Sequence, residues 1–104
     1  MDESERRRRW SVERRKFEVM RFLVNNRGPD QLFRTNNIAR KLGASKGVTL
    51  RNEDVKEALE HLAHIGHVDK VSVDDGGLAY KISQRGLEFW GQHAPAIMSF
   101  LSFE

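Results

Sequence analysis

Three regularly spaced histidines are the first residues of this sequence that could do chemistry, because His61, His64 and His67 follow one another at intervals of three. Neutral imidazoles bind zinc and nickel, and His61 and His64 would share one face of a helix. Gly66 would end that helix before His67, and no cysteine or convergent carboxylate completes a tetrahedral ligand set. We therefore expect partly exposed histidines near a helix C-terminus, where positive charge is tolerated, with no bound metal and no cofactor.

Catalytic motifs are missing from the sequence. It has no Ser/His/Asp spacing, no glycine-rich phosphate loop, no His-Glu-x-x-His pattern and no cysteine to act as a nucleophile or form a disulfide. The 104 residues, 38% of them hydrophobic, supply one core but no large enclosed cavity. His93, a lone polar residue near Trp90, is expected to pack or to lie at the surface. The sequence therefore predicts a protein that is not an enzyme.

Positive charge is concentrated in the N-terminal half of the chain. The net charge is only +3, from 18 Lys and Arg against 15 Asp and Glu. Residues 1–27 and 28–52 each carry an excess of four positive charges, whereas residues 53–66 and the remaining C-terminal part are net negative. Such an asymmetric distribution can attract polyanions, although charges of this kind also simply solvate a surface.

Membrane and export signals are also missing from the sequence. No apolar run approaches the roughly 18 residues of a membrane-spanning helix, and charged residues follow Met1 where a signal peptide would be apolar. Together with the lack of cysteine, this favours a cytoplasmic protein with no membrane partner.

Apolar periodicity and capping residues predict three helices in the first two thirds of the chain. Phe17, Met20 and Val24 form one stripe at helical spacing. The first helical pattern spans Trp10 to Asn25, with Ser11 as its N-cap. The second predicted helix runs from a Thr35 cap to Gly43, and the third from an Asn52 cap to Ile65, with Gly66 closing it. Residues 44–50 are predicted to form a connecting turn, and residues 31–34 a single extended rung.

A period of two replaces the helical pattern after Gly66. Alternating residues predict two strands, 68–73 and 78–82, joined by the turn Asp74-Asp75-Gly76-Gly77. Ser83 can cap a last helix, which Pro95 is expected to interrupt before it continues to Phe103. These elements predict an α+β fold with a three-helix core, a β-hairpin and an extra C-terminal helix.

Three fragments resemble winged helix-turn-helix regulators of the MarR, ArsR and PadR families, and the resemblance spans residues 17–90. They are IARKLG at Ile38–Gly43, VKEALEHLAHIGHV at Val55–Val68, and YKISQRGLEFW at Tyr80–Trp90. The resemblance implies a winged-helix domain over residues 10–92. Residues 1–9 are expected to form a flexible basic arm, because they are rich in arginine and offer nothing apolar to tie them down. The eleven residues between Gly43 and Val55, where family members usually have about four, predict an inserted longer turn over Lys46–Asn52.

The resemblance also implies sequence-specific binding of double-stranded DNA by a homodimeric transcriptional regulator, with the third helix in the major groove and the hairpin beside it. In this sequence the candidate DNA-binding residues are Arg34, Arg40, Lys41, Lys46, Thr49, Arg51, Asn52 and Lys56. Arg51 and Asn52 are candidates for reading bases, and Arg6–Arg9 could reach a minor groove. The outer face of the third helix is mostly acidic, through Glu53, Glu57 and Glu60. The alternative is therefore a protein-interaction module whose third helix faces a basic partner.

Apolar residues near the C-terminus predict a second copy of the chain as partner. Ile97, Phe100 and Leu101 form one stripe, whereas Met98 and Phe103 point away from it, so a small monomer could not bury them all. We therefore expect residues 93–104 to form a helical dimerisation segment. The predicted dimer contacts are Trp10, Phe17, Trp90, Ile97, Phe100 and Leu101.

Overall fold

A computed structural model describes residues 9–28 and 31–101 of the chain. Most of the predicted basic arm, and Phe103, lie outside the described residues. The elements are, in order, α1 (Val12–Asn25), α2 (Thr35–Lys46), α3 (Asn52–His64), β1 (Val68–Ser72), β2 (Leu78–Ile82) and α4 (Gln84–Leu101). The predicted α+β architecture of three helices, a hairpin and a C-terminal helix is confirmed.

The core lies where α1, α2 and α3 meet. Each helix contributes a stripe of apolar residues at spacings of three and four, and Val19, Ile38, Val55 and Leu59 have no exposed surface at all. Tyr80 of β2 is only 1% exposed and joins the hairpin to the same core. Burial of these stripes against one another is what fixes the angle of α3 relative to the other helices.

The start of each helix depends on one nearby side chain or backbone contact. Ser11 caps α1 as predicted, because its Oγ accepts a hydrogen bond of 3.1 Å from the Arg14 backbone N–H. Thr35 and Asn52 are the first helical residues rather than caps, so those two predictions are wrong by one residue. For α3 the cause is Asp54, whose Oδ2 accepts from the Arg51 backbone N–H at 3.2 Å and places Arg51 at the cap.

The predicted end of α2 at Gly43 is wrong, because the helix continues to Lys46. Its C-cap is Gly47, whose φ of 66° is the left-handed conformation that glycine adopts without strain. Gly43 is needed for close packing instead, since a Cβ there would lie 3.2 Å from the Val48 carbonyl oxygen. The longer helix takes up part of the predicted insertion, which leaves only residues 47–51 between α2 and α3.

The hairpin of β1 and β2 forms the wing. The strands are antiparallel, with Val68 opposite Ile82 and Ser72 opposite Leu78. The predicted extended rung is confirmed, because Phe33 pairs with Tyr80 through two backbone hydrogen bonds of 3.0 and 2.8 Å. This bridge attaches the wing to the segment that leads into α2.

The last helix, α4, begins as predicted but is continuous where the sequence predicted an interruption. Ser83 Oγ accepts from the Gly86 backbone N–H at 2.9 Å and donates to the Gly66 carbonyl oxygen at 2.6 Å. The expected interruption at Pro95 is wrong, because α4 runs through it to Leu101. Pro95 and Gly91, four residues earlier, are both exposed, so water can replace the backbone donor that proline lacks.

Candidate nucleic-acid interface

A groove of about 600 Å³, here called the wing groove, lies between the wing and the N-terminal ends of α2 and α3. Its walls come from three parts of the chain that are distant in sequence. They are Arg34, Thr35, Asn36, Asn52, Lys56, Gly76, Gly77, Leu78 and Tyr80. The groove brings two predicted contacts of α3 next to the exposed backbone of the wing turn.

An ion pair closes one end of the wing groove. Arg34 Nη2 donates to Asp75 Oδ2 at 2.7 Å, and both side chains are partly exposed. The Gly77 backbone N–H donates to the other oxygen of Asp75 at 3.0 Å. Together the Gly77 N–H and the Arg34 guanidinium hold the pKa of Asp75 below its usual value. Arg34 is therefore held against the wing tip, and one acidic residue of that tip has its charge offset.

A second polar contact joins α3 to the wing. Glu60 accepts from Lys70 Nζ at 2.9 Å and from the Tyr80 hydroxyl at 3.1 Å. The hydrogen bond from Lys70 is the main reason that the pKa of Glu60 is lowered. Burial, with the Glu60 carboxylate beside it, raises the pKa of Tyr80 to about 12. One of the three carboxylates on the outer face of α3 is thus paired within the chain.

Three arginines surround a buried carboxylate at the start of α3, and we call this the arginine cluster. Asp54 oxygens lie 3.6 Å from Arg51, 3.7 Å from Arg9 and 4.0 Å from Arg15. Arg15 is anchored by donating to the Trp10 carbonyl oxygen at 3.2 Å. Burial disfavours the charged form of Asp54, but the Arg51 backbone N–H and the arginines hold its pKa below its usual value. Three positive charges against one negative charge leave an excess of two.

The remaining predicted basic contacts lie apart from the wing groove. Lys41 and Lys46 line a separate groove of about 240 Å³ between α1 and α2, which also contains the buried Glu18. Arg40 is exposed and donates to the Asn37 side chain at 3.2 Å. Thr49 is half-buried in the connection between α2 and α3. The structure therefore distributes the eight predicted residues over the wing groove, the arginine cluster and the surface around α2.

Sequence reasoning missed one member of the arginine cluster, Arg15, and gave Arg9 only as part of an arm that could reach a minor groove, not as a neighbour of Asp54. Both lie in the arginine-rich segment around the buried Trp10, Arg9 directly before it and Arg15 five residues after it. Nothing in the spacing of residues, however, showed that this end of α1 packs beside Asp54, because that contact depends on the tertiary arrangement of α1 and α3.

The three histidines do not form a common site. Their expected partial exposure is wrong for His67, which is buried and packs against the Phe89 ring with centroids 4.5 Å apart. Burial is the main cause that lowers the pKa of His67, and the positive charge of Arg85 acts in the same direction. His61 and His64 are exposed. Within residues 9–28 and 31–101, no three potential metal-binding side chains are close enough to hold an ion.

Three of the predicted dimer contacts, Phe17, Trp90 and Ile97, line an apolar groove of about 370 Å³ between α1, the end of α3 and α4. Trp10 and Phe17 are already buried within the chain, and Phe17 stacks on Trp90 with ring centroids 4.9 Å apart. Trp90 and Ile97 are half-buried at the wall of the groove, and the adjoining Met98 is exposed. The side chains of Phe100 and Leu101 lie outside the described part of the chain. Trp90 and Ile97 thus have surface left for a second chain.

Among the helices of the described ranges, none combines the length and the apolar character needed to cross a bilayer.

Comparison with known proteins finds similarity in structure only. No protein-family model matches the sequence, and no curated protein matches it either. The chain is similar to the proposed transcriptional regulator TA0346 of Thermoplasma acidophilum, with a TM-score of 0.67 and 17% identity over 88% of this chain and 86% of that one. It is also similar to RosR of H. salinarum, with a TM-score of 0.65 and 16% identity over 82% of this chain and 73% of that one.

A third similar structure is the PcaV transcriptional regulator of Streptomyces coelicolor in complex with its natural ligand. Here the TM-score is 0.53 and the identity 20%, over 70% of this chain and 46% of that one. These proteins share the order and arrangement of three helices, a hairpin and a further helix. The chain therefore has the winged helix-turn-helix fold of the regulators that its sequence resembles.

Proposed function

We propose that this chain is a DNA-binding transcriptional regulator that acts without catalysis in the cytoplasm. The observation that carries the proposal is the wing groove, where Arg34, Asn52 and Lys56 converge between α3 and the wing. A helix fits the major groove of B-DNA, and a wing beside it can touch the adjacent backbone. Asn52 and Lys56 lie one helical turn apart on the same side of α3, which suits contacts to neighbouring bases.

Acidic residues near α3 would repel the phosphates of DNA, but ion pairs within the chain reduce this repulsion. Asp75 and Glu60, two acidic groups beside the wing groove, are offset by Arg34 and Lys70. Glu53 and Glu57 stay exposed on the outer face of α3. In a DNA complex, carboxylates at these positions would favour cytosine, whose N4 amino group is the base-edge donor that glutamate accepts best. Sequence specificity would then come from Asn52, Lys56 and these two glutamates.

The proposed assembly is a homodimer formed through α4. This helix is 18 residues long, and Ile97 and Trp90 on it line the apolar groove against α1. A second copy of α4 would cover this groove together with the exposed Met98. Two-fold symmetry would then set the two copies of α3 about one DNA turn apart on a palindromic site.

Binding to a random duplex tests the DNA-binding function. Lys56→Gln is expected to weaken binding and to lower the salt slope of log K by about 0.9, because it removes one positive charge that neutralises phosphate at the interface. Lys81→Gln is the matched control, since Lys81 is exposed on β2 but alternates with Tyr80 and so points to the opposite face of the hairpin. If both variants behave like the wild type, Lys56 does not contact DNA. If the wild type fails to bind even at low salt, the DNA-binding function is wrong.

Sedimentation of the full chain tests the dimer. Ile97→Glu is expected to give a monomer, because it places a charge in the apolar groove. Ala96→Glu adds the same charge at the exposed neighbouring position and is expected to remain dimeric. A monomeric wild type, or equal masses for both variants, would contradict an interface at Ile97.

The second candidate function is a winged-helix protein-interaction module, and the exposed pair Glu53 and Glu57 favours it. A basic partner would meet these carboxylates on the outer face of α3 without help from the wing groove. Glu57→Gln separates the two functions. It is expected to raise the affinity for random duplex DNA if α3 enters the major groove, whereas a protein module would show no DNA binding for either form.

A further inference from the structure

The structure assigns a second anion site to the arginine cluster: we propose that Arg9 and Arg51, held by Asp54 and Arg15, bind a backbone phosphate of the DNA. This site is separate from the wing groove, and the inference rests on the DNA-binding function proposed above. The ligand class is a phosphodiester, a single delocalised negative charge whose oxygens accept the planar N–H donors of arginine.

The position of the arginine cluster on α3 suits a phosphate on the far side of the major groove. With 3.6 residues per turn, Asp54 lies about 200° around the helix from Asn52 and about 160° from Lys56. The cluster and the wing groove therefore flank opposite sides of α3. A helix roughly 10–12 Å in diameter nearly fills a major groove about 12 Å wide, so its two flanks face the two strands.

The charges of the arginine cluster are unbalanced and partly open to solvent. Three guanidinium groups face one carboxylate, at nitrogen–oxygen distances of 3.6 to 4.0 Å. These distances exceed the usual range of hydrogen bonds, so Asp54 attracts the arginines without saturating their donors. The side chains of Arg9 and Arg51 are 56% and 58% exposed. Their N–H groups can therefore reach a phosphate, which would also relieve the repulsion among the three like charges.

Two members of the cluster, Asp54 and Arg15, are largely buried and fixed in position by hydrogen bonds to the backbone. The side chain of Asp54 is only 8% exposed, and its Oδ2 accepts the Arg51 backbone N–H. Arg15, 13% exposed, donates to the Trp10 carbonyl oxygen. Asp54 and Arg15 are therefore positioning residues, and Arg9 and Arg51 are the groups that would touch the phosphate.

The test compares two double variants that remove the same charge. Arg9→Gln/Arg51→Gln removes the two exposed members of the cluster. Arg27→Gln/Arg85→Gln is the control, because Arg27 lies beyond the other end of α1, roughly 18 Å along the helix axis from Arg15, and Arg85 lies against Gly66. The probe is a random duplex of about 20 base pairs, titrated between about 50 and 200 mM salt.

The cluster variant is expected to lower the slope of log K against log salt by about 1.8, because each phosphate contact contributes about 0.9. The control is expected to keep the wild-type slope. Combined with Lys56→Gln, the cluster variant should lower the slope by about 2.7, since the two flanks act independently. Equal slopes for wild type and cluster variant, or equal losses in cluster variant and control, would overturn this inference while leaving DNA binding intact. A wild type that binds no DNA would overturn the proposed function itself, and this site with it.

Discussion

Removing the carboxylate of Asp75 should strengthen DNA binding, because Asp75 holds Arg34 away from any other anion. The perturbation is Asp75→Asn. Its amide oxygen can still accept the Gly77 backbone N–H, so the turn is preserved, but the contact with Arg34 loses its charge-assisted strength. Arg34 then becomes available to a backbone phosphate at the mouth of the wing groove.

The size of this effect follows from one additional phosphate contact. Such a contact steepens the slope of log K against log salt by about 0.9, which corresponds to a factor of about 3.5 in affinity across a fourfold change in salt. The neighbouring residue supplies the matched control. Asp74 is exposed, carries the same charge and contributes nothing to the described pairing of Arg34. Asp74→Asn should therefore raise affinity only through the loss of one negative charge, with an unchanged number of phosphate contacts.

Fluorescence anisotropy with a labelled random duplex, repeated at several salt concentrations, measures both quantities. The expected result is a steeper slope for Asp75→Asn than for Asp74→Asn, and a larger gain in affinity at low salt. Identical slopes for the two variants would refute the argument that the ion pair withholds Arg34 from DNA. Weaker binding by Asp75→Asn would show that the pair positions Arg34 for binding instead.

Three further predictions concern groups that hold the fold together. Tyr80 is the only tyrosine, so absorbance titration should report a single midpoint near pH 12, and stability should decline as the pH rises from about 10 to 12 because the raised pKa favours the protonated form in the folded state. His67 has a lowered pKa, so the unfolded chain takes up more protons, and thermal stability should fall as the pH drops below about 6.5; His67→Gln should flatten this dependence. Gly86→Ala should destabilise by at least about 2 kcal/mol in urea unfolding, because its Cβ would overlap the His67 carbonyl oxygen. Gly91→Ala, with open space around its Cβ, should stabilise by up to about 1 kcal/mol, and equal effects of the two substitutions would contradict the packing of α4.

The main elements could be predicted because their signals are local. Apolar stripes at helical spacing located α1 and α3, and the Asp-Asp-Gly-Gly turn located the wing. The errors arose where the surroundings of a residue in the folded chain outweighed its local signal. Gly43 looked like a helix end but serves the close approach of Val48, and Pro95 looked like a break but lies on an exposed side of α4.

The candidate interface could be predicted only in part, since its geometry depends on contacts between distant residues. Arg34 and Asp75 are 41 residues apart in sequence, and no periodic pattern connects them. The same is true of Arg9 and Asp54. Residue types and net charge therefore suggested a cationic surface near the start of α3, whereas the division of that surface between two flanks of the helix required the folded chain.

The hydroxyl of Ser83 has a mechanical consequence, because it connects the start of α4 to the segment that directly follows α3. It accepts a hydrogen bond from the Gly86 backbone N–H in the first turn of α4 and donates one to the carbonyl oxygen of Gly66, two residues after the end of α3. The helix proposed to contact a second copy, α4, and the helix proposed to enter DNA, α3, are thus connected through one side chain. A tilt of α4 would therefore displace the C-terminal end of α3. In the proposed dimer, the distance between the two copies of α3 would then depend on the orientation of α4.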